Sequence, residues 1–241
     1  MNDNYTPIFD RSSLLIGEEN CQKLANARVL VLGIGGVGGY ALENLARAGI
    51  GHLTIVDGDN VDITNCNRQL SALINTVGKT KTDVWCERIK NINPDAEVVT
   101  KAQFLRTPED IENILAPGFD FAIDAIDELE PKITFIRALK RKKIPFISAM
   151  GAGGKLDPTQ IKIADISKTN GCPLARVVRK KLREFHIEKG VKTVYSPEPP
   201  LKRFADRKIG SISFIPAIFG CFCAAEAVNS LIKNCLLLEE G

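Results

Sequence analysis

The stretch "RVLVLGIGGVGGYALENLARAGIGHLTIVDGD", residues 28–59, reads as a strand, a glycine turn, a helix and a second strand. Gly33, Gly35 and Gly38 spell G-x-G-x-x-G, with Gly36 inside the turn, and this spacing marks a dinucleotide-binding unit. A glycine turn between strand and helix lets backbone N–H groups approach phosphates, and the helix N-terminus adds about half a positive charge. Asp57, ending the second strand, stands where an acid accepts hydrogen bonds from ribose hydroxyls. NAD, FAD and ATP binders share these features, so the stretch alone leaves redox chemistry and adenylation both open.

Outward from this unit, the apolar runs "EVV" near 97, "FAI" near 121 and "PFIS" near 145 alternate with segments of helical period. The alternation predicts an α/β fold, a Rossmann-like doubly wound sheet that is mostly parallel. After "GAGG", 151–154, the pattern changes to a C-terminal extension of strands and helices. Ile161, Ile163 and Ile166 predict a strand with one buried face. "CPLARVVRKKLREF" sets Leu174, Val177, Val178, Leu182 and Phe185 at helical spacing beneath a basic face. "YSPEPPLKRFADRKIGS", 195–211, has three prolines and no apolar period, which predicts a mobile loop. The apolar run Ile212–Val228 contains a proline, a glycine and Glu226 and falls short of the roughly 20 residues of a bilayer span. It reads as a buried helix, so no membrane span is expected. The organisation predicted is a single domain, 1–241, with a nucleotide-binding half at 1–150 and a substrate-side half at 151–241.

With 44% hydrophobic and 25% charged residues, the composition is that of an ordinary globular protein. "MNDNYTPIFDRSS" lacks a signal-peptide pattern, and a cytoplasmic location is expected. The seven cysteines are odd in number, scattered and without a C-x-x-C pair, which argues against a disulfide framework and a structural zinc site. The net charge of +3 hides a basic segment: residues 171–210 hold eleven Lys and Arg against four acids, while the rest is slightly acidic. A localised basic surface of this kind points to a polyanionic partner.

The segment "VDGDNVDITNCNRQLSALINTVGKTKTDV" separates the two chemistries. It places Asp59, Asn65, Arg68, Gln69, Lys79 and Lys81 after the ribose acid. A guanidinium and an ammonium aimed at one loop suit β- and γ-phosphates and the charge that develops as pyrophosphate leaves. A purely redox site has no evident use for them, so ATP is the better reading. "FDFAIDAIDELEPK" then sets Asp124 and Asp127 just after the fourth apolar strand, at the edge where ligands of such sheets gather. Magnesium on a nucleotide takes one or two protein carboxylates. For either acid taken singly, capping of the following helix is the alternative.

"GIGGVGG", "VDGDNVDITNCNRQ", "VGKTKTDV" and "DAID" resemble the nucleotide site of the ubiquitin-activating-enzyme-like superfamily, which includes the adenylyltransferases of thiamine and molybdopterin synthesis. The resemblance implies ATP-dependent conversion of a carboxylate to an acyl-adenylate. By matching position it implies Asp57 on the ribose, with Asp59 beside it, and Asn65, Arg68 and Lys81 at the triphosphate. Asp127 would hold magnesium. Arg11, in "FDRSSLLIG", matches an N-terminal arginine that reaches the ATP of the opposite subunit, which implies a homodimer. Arg68, Lys81, Asp127 and Arg11 are thus the expected catalytic set.

"ISAMGAGGKLDPTQIKIADISKTNGCPLARVVRKKLR", "VYSPEPP" and "GSISFIPAIFG" resemble the tRNA threonylcarbamoyladenosine dehydratase family, and the matches together run from residue 9 to about 233. This resemblance implies cyclisation of the threonylcarbamoyl group on the adenosine at position 37, beside the tRNA anticodon. On charge, Arg179, Lys180, Lys181, Arg183, Lys202 and Arg203, with "KRKK" at 140–143, are expected to grip the tRNA. Relatives that pass on sulfur carry a cysteine in the loop corresponding to 193–211, and here that loop has none. A carrier-protein adenylyltransferase and an NAD-linked oxidoreductase remain the alternatives. A cysteine desulfurase or other sulfur-transfer partner, and a monovalent cation near "GAGG", stay open. Cys172, at the start of the basic helix, is either a nucleophile or an ordinary cap-region residue, and Cys221 and Cys223 are expected to be buried.

Overall fold

The structure, a computed structural model, describes residues 7–201 and 209–232. Two short helices, α1 (Asp10–Ile16) and α2 (Glu18–Asn26), precede the alternating unit. That unit runs β1 (Arg28–Leu32), α3 (Gly36–Arg47), β2 (His52–Val56), α4 (Lys81–Ile92), β3 (Glu97–Lys101), α5 (Pro108–Leu115), β4 (Phe121–Asp124), α6 (Leu129–Lys142) and β5 (Phe146–Ala149). The chain continues through β6 (Lys162–Asp165), α7 (Pro173–Arg183), β7 (Lys192–Tyr195) and α8 (Phe214–Ile232).

The seven strands form one sheet in the order β3-β2-β1-β4-β5-β7-β6. All pairs are parallel except β6 against β7. The chain winds outward from β1 through β2 and β3, then returns to β4 and β5 on the other side. This reversal opens a crevice at the carboxyl ends of β1 and β4, where ligands of doubly wound sheets bind. The apolar runs are buried because helices cover both faces: Val29, Val31, Leu53 and Ile55 belong to one core, Leu30, Leu32 and Val56 to the other.

Helix α8 is apolar around most of its circumference because it lies against α3 and the sheet together. A Cβ on Gly220 would come within 2.4 Å of the Val37 carbonyl oxygen, so only glycine permits this approach to α3. By length and composition α8 would suffice to cross a membrane. Here Ile215, Phe219, Cys223 and Ala227 anchor it in the core, and burial pushes the Cys223 thiol up. Cys221, expected to be buried, is exposed.

Two local readings are corrected. Ile163, expected on the buried face of a strand, is exposed at the sheet edge, and Ile161 and Ile166 are buried just outside β6. In α7 the buried seam is Ala175, Val178 and Leu182. Val177 and Phe185 are exposed, and the Arg137 guanidinium lies 3.5 Å from the centre of the Phe185 ring. A helix covered on one side only buries a single stripe, and α6 provides that side. Within 195–211, residues 196–201 are held to the strand-following segment at 154–157. Lys155 Nζ donates to the Ser196 and Glu198 carbonyls, and the Glu198 carboxylate accepts from Leu156 N and Asp157 N. Lys202 and Arg203 lie outside the described residues.

Candidate active site

An open cleft of about 910 Å³ runs along the carboxyl ends of β3, β2, β1, β4 and β5. Its floor is the glycine turn. Gly33 has φ 82°, and a Cβ there would lie 2.7 Å from the Ala125 carbonyl oxygen. A Cβ on Gly38 would lie 1.8 Å from the Gly33 carbonyl oxygen, so that glycine closes α3 onto β1. Gly35 is different: the nearest protein atom to a Cβ there is the Gln69 amide at 3.5 Å. The protein's own packing does not demand glycine at 35, as expected where a ligand's backbone approach sets the requirement.

Asp57 directly follows β2 and is tied into the turn, accepting from Ile34 N at 2.9 Å and Asp59 N at 2.8 Å. Lys81, the first residue of α4, is buried and donates to Asp59 at 2.7 Å, with Asp57 3.7 Å away. Burial raises the Asp57 pKa above its ordinary value, against the opposing pull of Lys81 and the two N–H groups. Arg68 donates to the Thr64 carbonyl and the Asn67 side chain, both at 2.8 Å, and Asn65 closes a capping box with Asp62. Asp127 lines the cleft, and its carboxylate has no hydrogen-bond or ion-pair partner among the described residues.

The cleft therefore brings together Gly33, Gly35, Gly36, Asp57, Asp59, Asn65, Arg68, Lys81 and Asp127. Gly38 stands behind the turn. Asp124, expected to face the glycine loop, does not line the cleft. It is fully buried with Lys132 at 2.8 Å and Ser148 at 2.6 Å, and it also accepts from Ile126 N. Lys132 in turn donates to the Ala149 carbonyl at 3.0 Å. Arg11 is exposed on α1 and does not line the cleft of its own chain. Cys172 is buried as the N-cap residue of α7. Of the basic residues on α7, Arg176, Lys180 and Arg183 are exposed. Arg179 is instead spent on the Thr169 carbonyl and hydroxyl at 2.9 and 2.6 Å, and Lys181 lies 3.4 Å from Glu184. The "KRKK" run occupies the last turn of α6, the end opposite the cleft, where Glu112 pairs with Arg141 and Lys142.

Sequence reasoning missed Phe104, Arg106, Glu128 and Leu174, which also line the cleft. Phe104 follows β3 and packs over Gly58, where a Cβ would meet its ring at 2.5 Å. An isolated aromatic in a loop carries no periodic signal, so only the fold reveals it.

A doubly wound sheet whose switch-point cleft combines a glycine turn, an acid after the second strand, cations and a free carboxylate defines a nucleotide-binding enzyme suited to adenylate formation. Residues 9–239 match the ThiF family. The Bacillus subtilis tRNA threonylcarbamoyladenosine dehydratase is 43% identical over 242 residues, covering 94% of this chain and 95% of the relative. The Escherichia coli tRNA N6-threonylcarbamoyladenosine dehydratase TcdA in complex with AMP superposes with TM-score 0.89 at 38% identity, covering 93% of each chain. Its complex with ATP gives TM-score 0.89, covering 97% of this chain and 96% of that one. The chain belongs to the ThiF family and, within it, to the tRNA threonylcarbamoyladenosine dehydratases.

Proposed function

We propose that this protein catalyses the ATP-dependent dehydration of N6-threonylcarbamoyladenosine at position 37 of tRNA through an acyl-adenylate. Near-full-length identity to dehydratases carries this reading, and the cleft supports it chemically. A carboxylate oxygen of the threonyl group attacks the α-phosphorus of ATP and pyrophosphate leaves. The carbamoyl group then attacks the activated carbonyl, the ring closes and AMP departs with the carboxylate oxygen. The net change in the nucleoside is loss of water. Nucleophile and electrophile share one nucleoside, and such tethered reactions reach effective molarities of about 10⁵ M or more. Proximity thus removes the need for a covalent enzyme intermediate.

In this reading Asp57 binds the ribose, the glycine turn the phosphates, Asn65 hydrogen-bonds the phosphate oxygens, and Arg68 and Lys81 neutralise the departing pyrophosphate. Among the described residues, the charged lining of the cleft is five carboxylates, Asp57, Asp59, Asp62, Asp127 and Glu128, against three cations, Arg68, Lys81 and Arg106. Such a surface fits a triphosphate only with added positive charge. Asp127, free and opposite the turn, suits magnesium, a hard cation that takes one or two carboxylates and the nucleotide's phosphates. Magnesium would neutralise the triphosphate. Arg11 of a second subunit would supply further charge, and exposed Leu14, Leu15 and Ile74 give a homodimer apolar surface to bury. The first 150 residues then form the ATP half, and α7 supplies the tRNA side through Lys180 and Arg183.

The test is to incubate the protein with ATP, magnesium and tRNA carrying threonylcarbamoyladenosine, then analyse the nucleosides by mass spectrometry. The expected product is lighter by one water, with AMP and pyrophosphate formed. A nucleoside of unchanged mass, under conditions where ATP binds, refutes the proposal.

A further inference from the structure

The cleft is longer than the set of residues proposed to hold ATP. It spans the ends of five adjacent strands, β3 to β5. With neighbouring strands about 4.8 Å apart, that is roughly 19 Å. Asp57 on β2 fixes the adenosine side, and the glycine turn after β1 and Asp127 after β4 fix the phosphate side. The remaining end, beyond β4, is lined by Met150, Gly151, Ala152 and Gly153 after β5, by Leu174 from the first turn of α7, and by Ile209. Among the described residues, this end carries no charged side chain.

It does carry unsatisfied donors. The Met150 N–H is taken by the Val194 carbonyl at 2.8 Å and the Gly154 N–H by the Gly210 carbonyl at 2.7 Å. Between them, the N–H groups of Gly151, Ala152 and Gly153 donate to nothing among the described residues. All three residues are half-buried. Half-buried donors of this kind are answered by a ligand or solvent at the site, and successive free N–H groups in one loop suit an anion.

We infer that the β5 end of the cleft is the acceptor-nucleoside subsite. The free N–H groups of 151–153 take the nucleoside's carboxylate, and Leu174 and Met150 form the apolar wall against its base. The inference rests on the proposed reaction and assigns the place where its second substrate binds. A carboxylate held after β5 stands next to the glycine turn and Asp127, where the phosphates are proposed to bind.

Two variants test it in the full-length protein. At Gly151 an added Cβ would meet Leu174 Cβ at 3.6 Å and Cys172 Sγ at 3.7 Å, ordinary contacts, so Gly151→Ala keeps the fold while narrowing the subsite. Leu174→Trp fills the same end. Each is assayed for ATP affinity by titration and for dehydration kinetics with the modified tRNA. Expected is an ATP Kd within about twofold of wild type, and a KM for the modified tRNA raised roughly 10- to 200-fold, the range for reshaping one wall of an apolar pocket. Retained ATP binding also reports folding. Unchanged KM and kcat in both variants overturn the assignment, as does loss of ATP affinity in the folded Gly151→Ala protein. If wild-type protein leaves the modified tRNA unchanged, the proposed reaction itself fails, a result distinct from either.

Discussion

Replacing Lys132 by Met should destabilise the protein by about 3–5 kcal/mol, the usual cost of stranding one member of a buried ion pair. The Lys132 and Asp124 side chains are both 0% exposed. Every ammonium proton has an acceptor: Asp124 at 2.8 Å, Ser148 at 3.3 Å and the Ala149 carbonyl at 3.0 Å. Methionine keeps the volume but leaves the Asp124 carboxylate with only the Ser148 hydroxyl and the Ile126 N–H. Against a total stability of about 5–15 kcal/mol, the loss is large. With a urea m-value near 2 kcal/mol/M, the midpoint should fall by roughly 2 M. Asp124→Val should cost a similar amount by stranding the ammonium. The double variant, with neither charge, should recover most of the loss, since an apolar replacement of a buried pair is often near neutral. The node also joins the ends of β4 and β5, so the single variants should weaken ATP binding at temperatures where they remain folded. Single variants within about 1 kcal/mol of wild type, or additive effects in the double variant, would refute the reasoning, because coupling through one shared contact must appear as non-additivity.

Arg68→Ala and Lys81→Met should each lower kcat for dehydration by about 10²–10³-fold, the scale for removing one preorganised charge-stabilising donor; steady-state kinetics on modified tRNA check this. ATP affinity should weaken on acidification, starting above the ordinary Asp range near pH 4. Burial raises the Asp57 pKa, and protonation removes its negative charge and part of its acceptor capacity at the ribose; titration calorimetry against pH, with Asp57→Asn as the flat control, measures it. Reversing the charges of Lys180 and Arg183 to Glu should weaken tRNA binding and reduce the salt slope by about 1 per lost phosphate contact. Arg179→Ala should chiefly lower thermal stability, since its guanidinium binds the Thr169 carbonyl and hydroxyl rather than solvent.

The sequence was most legible where side-chain pattern and backbone demand coincide. All five strands read from apolar runs in the first half appear; the inner ones are continuously apolar because both their faces are covered, while the edge strand β3 alternates exposed and half-buried residues. Gly33 and Gly38 were legible for a similar reason: positive φ and close approach leave no other residue type. Reading failed where a residue's partner lies far away in sequence. Asp124 and Asp127 look equivalent in "DAID", yet β4 turns the first inward to Lys132 and leaves the second in the cleft. Arg179 and Lys180 are neighbours in a basic run, but the helix points Arg179 at the Thr169 carbonyl and leaves Lys180 exposed. Val177 and Phe185 fit the helical period without being covered, since periodicity identifies a stripe but not the width of its neighbour. Leu174 and Phe104 reach the cleft only because the strand order brings β3 and β5 to its two ends.

The same topology accounts for how a glycine turn shared by several cofactor classes becomes committed to adenylation. In the free cleft Lys81 is held between Asp57 and Asp59, so its charge is already balanced and Asp57 cannot act as an isolated acid. In the proposed mechanism, a triphosphate entering with its ribose on Asp57 competes with these carboxylates for the ammonium. The exchange is favourable only if other positive charge accompanies the nucleotide, and the surplus of carboxylates along the cleft makes that requirement stronger. Magnesium on Asp127 and an arginine from a second subunit both answer it in the proposed mechanism. In that mechanism pyrophosphate departure returns Lys81 to its two acids, while the β5 end, without a charged side chain among the described residues, would keep the activated carbonyl and the tethered carbamoyl group together. No cysteine lines the cleft among the described residues. In a reaction whose nucleophile is tethered to the substrate, none is needed.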